Sequence, residues 1–151
     1  MNPRRQGAAR RLILRRDLSE LALLARWLET QMQPDISPDV VFALTLCLEE
    51  AVANIIMHGR AEDEALKIAV EVERASGTLT ARIEDNGRRF DPTRVPSPPM
   101  ANSLREAKVG NLGVDLIRKF ASEMRYERRG GCNRLTLRFF ESGPNRGGLG
   151  P

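Results

Sequence analysis

Glu50, Asn54 and His58 stand four residues apart, Asp85-Asn86-Gly87 closes an alternating segment, and Gly110-Asn111-Leu112-Gly113 precedes an apolar stripe. At about 100° per residue, the first spacing sets its three polar side chains on one narrow track of a helix. Ala43, Leu46, Cys47 and Met57 flank that track, so a carboxylate and an amide stand in a face that is otherwise small or apolar. Val41, Leu44, Leu48, Val52 and Ile55 fall opposite, as the stripe expected to face a core. Polar groups in such a face need partners, which a ligand, a capped loop or water could supply. A carboxylate can accept a proton, and an amide oxygen can ligate a hard cation. Asp-Asn-Gly after a strand reads by itself as a turn. Glycines at a helix start let the backbone approach an anion, which the free N–H groups and helix dipole attract, yet a lone GxxG is common without any ligand.

These residues need elements to hold them. Arg10 to Arg16 reads as a strand, and Asp17 with Glu20 as the capping box of a helix bearing Leu18, Leu21, Leu24, Ala25 and Leu28. Trp27 lies beside that stripe and suits packing. Ser37 as N-cap and Pro38 at the first helical position start the helix of Glu50 and Asn54, which runs to about Met57 with Gly59 past its end. Leu66–Val72 and Leu79–Ile83 alternate as strands joined at Ser76-Gly77. Residues 92–109, with Pro92, Pro96, Pro98 and Pro99, form a long loop of the kind that serves as a lid. A third helix at about Leu112 to Ala121 and strands near Met124–Arg128 and Arg134–Phe140, turning at Gly130-Gly131, complete the chain. The order β-α-α-β-β-loop-α-β-β implies α+β: a two-layer sandwich, its sheet mixed but mostly antiparallel, its helices on one face. Two consecutive hairpins exclude a doubly wound parallel sheet.

Composition narrows the classes further. At 151 residues the chain reads as one domain over 10–141, with a basic arm at 1–9 and an unstructured tail at 142–151. The net charge of +4 comes from the N-terminal stretch: residues 1–16, the arm and the first strand, hold six Arg and no acid, leaving 18 basic against 20 acidic residues beyond. No aromatic residue interleaves those arginines, so direct nucleic-acid binding is not expected. Nor is a membrane partner or a secretory leader, because no uninterrupted apolar run reaches the roughly 18 residues of a spanning helix. Cys47 and Cys132 are isolated and the chain has a single His, which argues against zinc and for reduced thiols in the cytoplasm.

Together and in this order, the three segments resemble the motifs of the GHKL superfamily of ATP-binding domains. Glu50-Ala51-Val52-Ala53-Asn54 looks like its N-box, Asp85-Asn86-Gly87 its first glycine box and Gly110-Asn111-Leu112-Gly113 its second. The resemblance covers about residues 10–140 and is closest to anti-sigma-factor serine/threonine kinases. Like them, the N-box ends in His58-Gly59, the chain begins with a strand and helix, and Gly131-Cys132-Asn133-Arg134-Leu135-Thr136-Leu137 looks like their last strand. The resemblance implies ATP and Mg²⁺ as cofactors. Asn54 would ligate the metal, Asp85 would accept a hydrogen bond from the adenine amino group with Thr136 in support, and Gly87 would permit close backbone approach. Gly110, Asn111, Leu112 and Gly113 would shape the turn around the phosphates, and Glu50 would act as general base. One departure is Arg89, where the family usually has a second glycine; it either points outward or narrows the adenine end.

The function implied is a partner switch: a domain that silences a sigma factor or equivalent target and phosphorylates a STAS-type antagonist, with a homodimer expected from the resemblance alone. Two other readings are a non-catalytic ATP-binding adaptor, which Arg89 favours, and a detached histidine-kinase ATP-binding domain. Glu50 argues against the latter, since a carboxylate one turn before the Asn suits a hydroxyl nucleophile that needs a base.

Overall fold

The computed structural model describes residues 10–59, 66–96 and 111–142. Its elements run β1 (Arg10–Arg15), α1 (Glu20–Gln31), α2 (Pro38–His58), β2 (Lys67–Ala75), β3 (Thr78–Asp85), a short 3-10 turn (Pro92–Arg94), α3 (Asn111–Phe120), β4 (Glu123–Arg129) and β5 (Cys132–Phe140). This is the order expected from the sequence. The basic arm at 1–9, positions 97–109 of the expected lid, Gly110 and the tail from 143 lie outside the described residues.

The strands form one sheet in the order β1-β2-β3-β5-β4, with β1 and β4 at its edges. Every pairing is antiparallel, so among the described residues the sheet is not the mixed one the sequence reading allowed. Both hairpins turn through two successive left-handed residues, Ser76 (φ 51°) with Gly77 (φ 74°) and Gly130 (φ 57°) with Gly131 (φ 76°). That geometry matches the right-handed twist of the flanking strands.

Alternation then sorts the two faces of the sheet. Leu79, Ala81 and Ile83 of β3 and Leu135, Leu137 and Phe139 of β5 point into the core. The last inward positions, Asp85 and Asn133, are polar and directly paired in register. The outward face carries cross-strand ion pairs: Arg11–Glu71 at 2.8 Å, Arg82–Glu73 at 3.3 Å, Arg134–Glu84 at 3.0 Å and Arg138–Glu123 at 3.0 Å. Such exposed pairs contribute about 0.2–1 kcal/mol each, so they keep that face solvated more than they hold the fold.

α2 organises the other layer. The Ser37 hydroxyl accepts from the Val40 amide at 3.3 Å and Pro38 opens the helix, as expected. By length and composition alone α2 could span a membrane, at a mean hydropathy of 1.9. Its burial against the sheet and the other helices identifies it instead as the core helix. The core stripe is Val40, Ala43, Leu44, Cys47, Leu48, Ala51, Val52 and Ile56. It is therefore rotated toward the Glu50–Asn54 track relative to the expected one: Ala43 and Cys47 are core, while Val41 and Ile55 only border it. The cause is α3, which covers α2 on that side with Val114 and Ile117.

The start of α1 differs as well. The helix begins at Glu20 with Ser19 as an N-cap that makes no side-chain bond. Asp17 instead accepts from the Ser19 amide at 2.9 Å, and Glu20 reaches back to the Arg15 amide at 3.1 Å. The expected capping box is thus spent on the turn between β1 and α1.

Candidate functional site

Where β3 ends and β5 begins in polar residues, the sheet, α2 and α3 line a cleft that opens to solvent. Its walls are Ala51 and Ile55 of α2, Val114 and Ile117 of α3, and Ile83 and Leu135 of the sheet. Its polar groups are Asn54, Asp85, Asn133 and Tyr126, and Phe90 and Pro92 form its rim.

Asp85 is 6% exposed and accepts on one oxygen, Oδ1, from the Gly87 amide at 2.9 Å and Asn133 Nδ2 at 3.0 Å. Burial pushes its carboxyl above the usual carboxylate range, against the lowering effect of those two bonds and of the Arg128 charge. Gly87 is required by this arrangement, because a Cβ there would lie 2.9 Å from Asp85 Oδ1.

Asn133 ties the cleft together. Its Nδ2 also donates to Arg88 O at 2.6 Å, while its Oδ1 accepts from Tyr126 Oη at 2.7 Å, Arg128 Nη1 at 3.0 Å and the Phe90 amide at 3.2 Å. Arg128 Nη1 also donates to Gly87 O at 2.8 Å. One buried amide thus fixes the glycine turn, the strand β4 and the acidic group at once.

Thr136 does not support Asp85. It pairs with Arg82 and Arg125 on the outward face, because strand parity puts 133, 135, 137 and 139 inward and 136 outward. Asn133 makes the contact the sequence reading gave to Thr136. The signal was present: Asn133 is a polar residue at the apolar parity of Leu135, Leu137 and Phe139.

Asn54 lines the cleft, and Glu50 lies one turn earlier against the start of α3. A Cβ on Gly113 would lie 2.8 Å from Glu50 Oε2. Glu49, beside it, has its carboxyl raised by partial burial and by the Glu50 charge. Cys47 is pushed up to about 12 by burial and then by Glu50, so its thiol behaves as a small core hydrophobe. His58 is exposed at the end of α2 and away from the cleft. Asn111 and Leu112 open α3. Arg89 is exposed and not in the cleft wall, whereas its neighbour Phe90, 50% exposed, is.

One further residue had no signal in the sequence. Arg118 of α3 donates Nη2 to Pro92 O at 3.1 Å, to Thr93 O at 3.3 Å and to Val95 O, while Nη1 pairs with Asp115 at 3.5 Å. A single guanidinium so fastens the rim to the helix that forms the opposite wall. Apolar walls with one buried acidic acceptor suit a heteroaromatic ligand that carries an exocyclic amine.

The comparisons with known proteins fit this arrangement. Residues 14–139 match the family described as histidine kinase-like ATPase domain. The serine/threonine-protein kinase BtrW of Bordetella bronchiseptica is 37% identical over 120 residues, covering 80% of this chain and 78% of that protein. An anti-sigma F factor of Clostridium botulinum is 29% identical over 90 residues, covering 60% of this chain and 62% of the other. The solved structure of the RsbU and RsbW domains of Rv1364c from Mycobacterium tuberculosis superimposes with a TM-score of 0.65 at 18% identity. It takes in 93% of this chain but 34% of the other, and at that identity the likeness is one of fold. The extent of the family match and the identity to the Bordetella kinase lead to one conclusion: the chain belongs to the histidine kinase-like ATPase domain family.

Proposed function

We propose that this protein is an ATP-dependent serine/threonine kinase and anti-sigma factor of a cytoplasmic partner-switching system. The observation that carries the reading is the placement of Asp85, buried in the lining of a largely apolar cleft that Asn54, on the helix that also bears Glu50, lines as well. Names of relatives support it: one is a serine/threonine-protein kinase, another an anti-sigma factor.

Asp85 would accept from the adenine amino group, with Asn133 and the Gly87 amide holding its other bonds in place. Ile83, Ile117 and Leu135 would flank the base. The amide oxygen of Asn54 would hold Mg²⁺, which supplies charge neutralisation for the phosphate oxygens. Among the described residues no three His, Cys, Asp or Glu cluster to hold a metal by themselves. This suits Mg²⁺, which takes one or two protein oxygens and fills its other positions with phosphates and water. Glu50 would take the proton from the acceptor's Ser or Thr hydroxyl as that oxygen bonds to the γ-phosphorus and ADP departs. The acceptor is a STAS-type antagonist, and the silenced partner is a sigma factor or equivalent regulator. With Arg89 outside the cleft, no observation favours the non-catalytic adaptor over the kinase.

The test is a titration with ATP with and without Mg²⁺, followed by transfer to the antagonist. Asn54→Ala should abolish the Mg²⁺-dependent part of the affinity and the transfer while the fold melts as the parent does. Parent protein that binds Mg·ATP but never phosphorylates a partner it grips would sink the kinase reading.

A further inference from the structure

Four of the described glycines divide into two kinds. Gly77, Gly130 and Gly131 sit at positive φ with open space around them, so the backbone requires them. Gly113 lies in the first turn of α3 without a positive φ, where alanine has the higher helix propensity. Its reason must be space. The three atoms nearest its missing Cβ all belong to Glu50: Oε2 at 2.8 Å, Cβ at 3.7 Å and Cδ at 3.8 Å.

We propose that Gly113 is a positioning residue for the proposed base Glu50, the bare backbone of α3 forming the seat on which the Glu50 carboxylate rests. This rests on the kinase reading of Glu50 and departs from the resemblance, which would have Gly113 serve the phosphates. A Cβ at 113 meets a contact shorter than real Cβ atoms show, and the atom it meets is the far end of a flexible side chain. The cheap response is for the carboxylate to swing aside while the helix stays. Alanine at 113 therefore leaves the domain folded and moves the base.

The experiment compares the parent, Gly113→Ala, Glu50→Gln and the double variant for melting temperature, ATP affinity and the rate of transfer to the antagonist at saturating ATP. Misplacement of a reacting group by about 1 Å costs on the order of 100-fold, so Gly113→Ala should lose about 10- to 100-fold in rate. Its melting temperature should equal or exceed the parent's, and its ATP affinity should stay within about twofold, as expected when only a transition-state interaction is lost. In the Glu50→Gln background the same substitution should cost nothing further, because residues that act through one another are non-additive. A rate for Gly113→Ala equal to the parent's overturns the proposal. So does an effect that persists in the Glu50→Gln background, or one that appears as lost ATP affinity or a lower melting temperature. In those cases the Cβ has met phosphate or displaced the helix. A parent that transfers no phosphate defeats the kinase reading itself, which the parent's own assay reveals before any variant is compared.

Discussion

Asp85 and Glu50 each lie against a glycine, 2.9 Å and 2.8 Å from the Cβ that Gly87 and Gly113 lack. In all else they differ. Asp85 is buried, its Oδ1 held by a backbone amide and a side-chain amide that is itself anchored at several points. Glu50 is half-buried on α2, and no hydrogen bond joins its carboxylate to another described residue. A group that must present one oxygen in a fixed direction is locked by donors. A group proposed to gain and lose a proton is packed from one side and, among the described residues, carries no hydrogen bond that would fix its proton. On the proposed reading, the same type of side chain would serve recognition at one place and proton transfer at the other, by what surrounds it.

Exchange of each acid for its amide should separate the two. Glu50→Gln should slow transfer by about 10²- to 10⁴-fold, the usual contribution of a general base, while ATP titrations match the parent. Equal loss of affinity would make Glu50 a binding group and erase the contrast.

Asp85→Asn should do the reverse. A hydrogen bond to a charged group contributes about 1.5–3 kcal/mol, so ATP affinity should weaken by about 10- to 150-fold. The free domain should become more stable. With a carboxyl raised in the folded state, the stability tied to Asp85 is fully present below its ordinary value of 3.8 and is lost as pH rises through the folded one. At pH 7 the variant should therefore melt above the parent, and the gap should close as pH is lowered. A variant that melts below the parent at pH 7 would mean the charge is held at no cost.

Asn133→Ala sharpens the comparison from the other side, since it removes the lock and leaves both carboxylates. Tyr126, Arg88 and Phe90 lose their shared partner, and an unsatisfied buried group costs about 1–3 kcal/mol. Thermal unfolding should show that loss, with weaker ATP binding and with Glu50-dependent chemistry intact at saturation. The smallest effect belongs to Arg89→Gly, which should leave ATP affinity unchanged, because the exposed Arg89 is outside the cleft. Tighter binding would place that guanidinium over the adenine end.

What could be read beforehand was whatever local chemistry decides. Ser37-Pro38 announced the start of α2, and Gly77 and Gly130-Gly131 marked both hairpins, because caps and left-handed turns depend on residues within a few positions. Parity was the weak point. The fifth strand begins at Cys132 rather than near Arg134, which brings Asn133 into the strand as the one polar residue aligned with Leu135, Leu137 and Phe139 and leaves Thr136 on the other face. The rotation of the core stripe on α2 followed from α3, an element distant in sequence. Arg118 was out of reach for the same reason: its partners are carbonyls 23 to 26 residues away, and any side chain leaves a carbonyl in the chain.

The edges of the sheet bear on how this domain meets others. β1 exposes Arg10, Arg11 and Arg15 beside Ile13, and β4 exposes Glu123, Arg125, Glu127, Arg128 and Arg129. Dense charge on a bare strand discourages another chain from adding itself there. The domain is thereby guarded against lateral growth into longer sheets.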